Sequence, residues 1–137
     1  MTDIADLELA LLDDVWVARL GGEIDLSNAD TIGAAIETAF AQEGIGLVLD
    51  LTDVEYLDSA GVRLLFRIAR SSTSRGWAMR AVVPEQSSIR RVLDLADIEN
   101  VIGLDETSGV AAGKIHAESE PLGRPSAGEG DGSAGSG

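Results

Sequence analysis

Ile45-Gly46-Leu47-Val48-Leu49-Asp50-Leu51, followed within a few residues by Tyr56-Leu57-Asp58-Ser59-Ala60-Gly61-Val62-Arg63, decides how this chain folds. The first run is almost continuously apolar, which suits a strand covered on both faces. The second opens a helix, because Val62, Leu65, Phe66 and Ala69 recur at i, i+3, i+4 and i+7. A buried strand therefore feeds directly into an amphipathic helix, with Ser59 at or next to the helix N-terminus. On position alone that serine reads as an N-cap, its oxygen accepting from an otherwise unpaired backbone N–H. The alternative reading is a regulatory phosphorylation site.

Upstream, Leu7, Leu9 and Leu11 alternate with Asp6, Glu8 and Ala10, the pattern of a half-buried strand. Asp13-Asp14 is a tight turn, and Val15 to Leu20 its hairpin partner. Gly21-Gly22 then loosens the backbone before Glu23-Ile24-Asp25-Leu26. Ser27 reads as the N-cap of a first helix with Ile32, Ala35, Ile36, Ala39 and Phe40 on its apolar stripe. Gly44 is placed to end it in a left-handed conformation.

Downstream, the helix after Ser59 stops near Ser71-Ser72-Thr73-Ser74. Residues 77–83 form another strand, ended by Pro84. Ser87 or Ser88 caps a third helix with Ile89, Val92, Leu93 and Ala96 on one face. Residues 101–104 are a short strand, and residues 107–115 a helix weakened by Gly109 and Gly113. The reading is an α/β fold: an opening hairpin, then αβαβαβ, giving a mixed sheet with right-handed parallel crossovers and helices packed on it. Residues 1–116 form one domain. Residues 117–137, rich in Gly, Ser, Pro and Glu with Leu122 the only large apolar side chain, read as a disordered tail.

Composition excludes several chemistries. The 137 residues contain no cysteine, so disulfides and thiolate sites are ruled out. The only histidine, His116, lies beside the tail, and the only lysine is Lys114, with no phosphate-cradling glycine loop before it. The net charge of −14 is a poor match to nucleic acid. No apolar run is long enough to span a membrane, and the N-terminus is acidic where a signal peptide is basic, so a cytoplasmic protein is expected. Asp50, Asp53 and Asp58 as a magnesium site is outweighed by their roles as caps and turn formers. No catalytic residue, metal or cofactor is assigned. Trp16 and Trp77 read as core.

Strand ends and helix starts gather at one rim of such a sheet, which places the loops at 23–30 and 53–61 side by side. Ser59 is expected there, surrounded by Asp25, Asp53, Glu55 and Asp58. Arg63, Arg67 and Arg70 follow at helical spacing, Arg63 one turn from Ser59.

Gly22-Glu23-Ile24-Asp25-Leu26-Ser27 and Asp58-Ser59-Ala60-Gly61-Val62-Arg63-Leu64-Leu65, in this order of elements, resemble the STAS domain, and more narrowly the single-domain anti-sigma factor antagonists of bacteria. The resemblance implies that Ser59 is the phosphorylation site. It implies an anti-sigma factor partner, a serine kinase of the histidine-kinase ATPase fold. The unphosphorylated antagonist binds it and frees the sigma factor, and a PP2C-type phosphatase reverses the modification. Partner-binding residues on this reading are Asp25, Ser27, Asp58, Ser59, Gly61 and Arg63. Ala60 stands where many relatives carry a second hydroxyl, and Arg63 at or beside the place of a second glycine. A scaffold STAS module of a stress-sensing or transport complex is the alternative, and an enzyme is not expected.

Overall fold

The computed structural model describes residues 6–119. Five strands form one sheet in the order β1 (Asp6–Leu12), β2 (Val15–Ile24), β3 (Gly46–Leu57), β4 (Ala78–Val82) and β5 (Gly103–Asp105). β1 and β2 are an antiparallel hairpin, and every later pair is parallel. Asp13 and Asp14 make the hairpin turn, both at positive φ (51° and 71°), which matches the twist of the flanking strands.

Side chains alternate across a strand, so the central strands β2, β3 and β4 each supply two cores. Ala18, Leu20, Leu47, Leu49, Ala81 and Val83 face α1 (Ala29–Phe40), α2 (Ser59–Ser74) and α3 (Arg90–Leu95). Val15, Val17, Val48 and Val82 face the other way and are covered by Ala111 and Ile115 of α4 (Ser108–Ser119). β3 lies between the two layers, and residues 46–51 are all buried.

Several boundaries differ from expectation, each for a physical reason. β2 does not break at its two glycines. It runs through them to Ile24, with register shifts against β3 on either side of Gly21-Gly22. β3 continues past Leu51 to Leu57, pairing there with β2 alone because β4 ends opposite Asp50. That half-free stretch is polar at Thr52, Asp53 and Glu55, so hydropathy could not reveal it. α1 starts after Asn28, not Ser27. Gly44 is not left-handed. A Cβ there would stand 3.0 Å from both Trp16 and Trp77, so it is the gap that lets the two indoles close in. Gly76 takes the left-handed role instead (φ 74°), ending α2.

Ile89, not a serine, precedes the short α3, although Ser87 Oγ does accept from the Ile89 N–H at 3.3 Å. A 3-10 turn, Ile98–Asn100, follows α3, and β5 is displaced toward Asp105. α4 is a full helix despite its glycines, because one face is buried on the sheet. It also passes the expected boundary at residue 116 and runs to Ser119, with Glu118 3.5 Å from Arg80. The rest of the expected tail lies outside the described residues. Trp77 packs edge-on against Phe40 with centroids 5.0 Å apart, and both tryptophans border the core as expected.

Two buried carboxylates lie on the α4 side. Asp105 accepts from Arg80 Nε at 2.5 Å and from Lys114 Nζ at 2.7 Å. Asp50 accepts from the Thr52 hydroxyl at 2.6 Å, the Thr52 N–H at 3.0 Å and the Ser108 hydroxyl at 2.9 Å. Burial pushes both carboxyls up. The hydrogen bonds, with Arg80 and Lys114 beside Asp105 and Arg19 beside Asp50, outweigh it and hold both below the usual range. A depressed folded pKa stabilises the fold above the unfolded value, about 3.9, and that stability disappears as pH falls through the folded value. Asp105→Asn should therefore melt below wild type at neutral pH, with the gap closing as pH falls below the unfolded value and through the lowered folded one. Thermal melts across a pH series check this, and a constant gap would contradict it.

Candidate functional site

β2 and β3 stay paired to their ends, with Ile24 opposite Leu57, and the Asp58 N–H donates to the Ile24 carbonyl at 3.2 Å. The loop leading to α1 and the start of α2 are thereby delivered side by side. Asp58 joins them. Its backbone is extended (φ −95°, ψ −172°), and it is the N-cap of α2. One carboxylate oxygen accepts from the Gly61 N–H at 3.0 Å and the other from the Leu26 N–H at 3.2 Å.

The β2–α1 loop is fixed from its other side as well. Asp25 Oδ1 accepts from both the Ser27 N–H (2.9 Å) and the Ser27 hydroxyl (2.6 Å). Asn28, 1% exposed, accepts from the Asp25 N–H at 3.0 Å and donates to the Glu23 carbonyl at 2.8 Å. These bonds satisfy a turn that buries almost nothing apolar, and Leu26 is left 78% exposed at its crest.

Gly61 is buried where α2 crosses the end of β2. A Cβ there would lie 2.5 Å from Leu57 Cδ1 and 3.0 Å from the Ile24 carbonyl oxygen, so glycine allows this approach where a larger residue would have to push Leu57 or the strand end aside. Ser59 is the first residue of α2. Its side chain is exposed, and its hydroxyl has no hydrogen-bond partner among the described residues. Capping belongs to the aspartate, which leaves the serine hydroxyl free for other chemistry.

Asp25, Ser27, Asp58, Ser59 and Gly61 thus share one rim, and Arg63 follows one turn along α2, exposed. Asp53 and Glu55 do not join them. They lie within β3, Asp53 opposite Gly21, and line a separate open groove with Asp6, Thr52 and Ser87. The loop expected at 53–57 is strand, and that moves both carboxylates away from Ser59. Asp50 is likewise engaged under α4, so the three aspartates do not converge. Arg67 pairs with Asp30 of α1 at 3.3 Å. Sequence reasoning missed Leu26 and Asn28. An exposed leucine carries no signal in hydropathy, and Ser27-Asn28 offers two adjacent capping residues with nothing local to choose between them.

The STAS domain model matches residues 6–111. The chain belongs to the STAS domain family. Among its STAS relatives is the anti-sigma-F factor antagonist RsfB of Mycobacterium tuberculosis, 35% identical over 107 residues, which cover 74% of this chain and 85% of that protein. The crystal structure of an anti-sigma factor antagonist from Mycobacterium paratuberculosis superposes with a TM-score of 0.72 at 26% identity, covering 85% of this chain and 97% of its own. The Bacillus cell fate determinant SpoIIAA in its phosphorylated form shares the fold, with a TM-score of 0.62 at 21% identity over 80% of this chain and 99% of its own. Among the described residues no helix of this STAS chain is long and apolar enough to cross a membrane.

Proposed function

We propose that this chain is an anti-sigma factor antagonist whose partner binding is switched off by phosphorylation of Ser59. The observation that carries the proposal is the exposed, unpartnered Ser59 hydroxyl on a rim held in shape by its neighbour Asp58. The partner is an anti-sigma factor with serine-kinase activity, and a PP2C-type phosphatase resets the switch. The chain acts by binding in the cytoplasm, and catalyses nothing itself. A phosphate adds about −1.5 to −2 charges at neutral pH. Because the serine is not the cap, the modification can proceed without unmaking α2. A partner surface fitted to a neutral hydroxyl then meets bulk and charge beside Asp58 and Asp25.

The decisive experiment has two parts. Pull-down from the native cell, with wild type and Ser59→Asp compared, should recover an anti-sigma factor kinase with wild type only. The purified kinase with ATP should then label Ser59 alone, and Ser59→Ala should abolish incorporation. Label on Ser27 or within the cluster at residues 71–74 overturns the assignment of the site. Equal recovery by both baits points instead to a scaffold STAS module.

A further inference from the structure

Most arginines of the described chain are held by carboxylates. Arg67 lies 3.3 Å from Asp30, Arg75 3.5 Å from Glu37, Arg80 2.5 Å from Asp105 and Arg90 3.5 Å from Asp94. Arg63 has no ion-pair partner among the described residues, although the chain carries a net charge of −14. It is exposed, and it stands four residues after Ser59 on the same helix. Residues at i and i+4 are surface neighbours on a helix, with Cβ atoms about 6 Å apart. Long helical side chains also lean toward the N-terminus, which puts the turn that begins at Ser59 within reach of the Arg63 guanidinium.

The helix N-terminus itself tolerates a phosphate, but the other side chains around Ser59 offer it little. Asp58 is an anion, and it already takes the Gly61 N–H. Asp25, in the facing loop, is a second carboxylate, engaged by Ser27. Farther along α2, Arg67 is committed to Asp30.

We propose that Arg63 is the intramolecular counter-ion of phosphorylated Ser59, so that modification both adds negative charge to the rim and withdraws a cation from it. The proposal deepens the functional reading above and rests on Ser59 being the phosphoacceptor. Before modification, Arg63 is free to meet an acidic group of the partner. Afterwards it is bound to the phosphate, and the partner faces two unfavourable changes from one covalent event.

The test uses the full chain carrying phosphoserine at position 59, inserted during translation so that no kinase is needed. It is made in wild-type, Arg63→Gln, Arg63→Lys and Arg70→Gln backgrounds, and the phosphate is titrated by phosphorus NMR. Arg70 is also exposed and unpaired, but it lies about 16 Å along the helix from Ser59. Losing Arg63 should raise the second phosphate pKa by about 0.3 pH unit at low salt, as an i, i+4 charge pair implies. Arg63→Lys should restore part of the difference, Arg70→Gln should match wild type, and added salt should shrink the effect. Identical titrations for wild type and Arg63→Gln overturn the proposal. So does an Arg70→Gln shift as large as that of Arg63→Gln, which would reveal only a diffuse field. Because the phosphate is installed directly, either result stands apart from the kinase-binding assay that tests the switch itself.

Discussion

Ser59→Asp should bind the anti-sigma factor at least about tenfold more weakly than wild type, since one added charge at an acidic rim is worth roughly 1–2 kcal/mol. Ser59→Ala should bind as tightly as wild type and remain active constitutively, because it keeps a neutral surface. Both variants should melt within about 0.5 kcal/mol of wild type, as expected for exposed positions away from special features. That last expectation follows from the cap assignment. Were Ser59 the N-cap, the alanine variant alone would lose about 1 kcal/mol. Since Asp58 accepts the Gly61 N–H, the serine can change without disturbing the helix end. Affinity and stability measured on the same proteins separate the two effects. Equal affinities for the alanine and aspartate variants would mean that Ser59 does not control binding.

Elements whose apolar residues are buried on one face or both were legible in the sequence. The hairpin, β3, α1, α2 and their order follow from period and turn chemistry, because burial dictated those residues. The extensions were not. β3 beyond Leu51 is held by its backbone ladder to β2, and a ladder accepts almost any side chain. The same blindness misplaced Asp53 and Glu55, which the sequence assigned to a loop. α4 looked weak for the opposite reason. Its glycines lower intrinsic propensity, while Ala111 and Ile115 anchor it on Val15, Val17, Val48 and Val82.

At the site, the motif from Asp58 to Arg63 marked the strand-to-helix junction but not the division of labour within it. Both Asp and Ser are good capping residues, and adjacent candidates differ only in backbone conformation. Asp58 is extended and Ser59 already helical, a distinction that no local composition signals. The tie from Asp58 to Leu26 spans 32 positions and has no local signature.

That tie makes Asp58 the second position of large expected effect, and the one where stability and binding should fall together. Asp58→Ala removes the acceptor of the Gly61 N–H and of the Leu26 N–H in one step. A lost N-cap removes about 1–2 kcal/mol and the exposed bond from the Leu26 N–H about 1 kcal/mol more, so a total of about 2–3 kcal/mol is expected. For a domain of this size that lowers the thermal midpoint by roughly 8–15 °C. Asp58→Asn is the informative companion. Its amide oxygen can still cap α2, but its NH₂ group cannot accept from Leu26. It should therefore keep most of the stability while freeing the β2–α1 loop. If the partner reads that loop together with Ser59, Asp58→Asn should bind more weakly than wild type although Ser59 is intact and unmodified. Calorimetric melts and binding isotherms on the two variants decide the matter. A stable Asp58→Ala protein would refute the capping role, and full affinity in Asp58→Asn would show that the partner reads α2 alone.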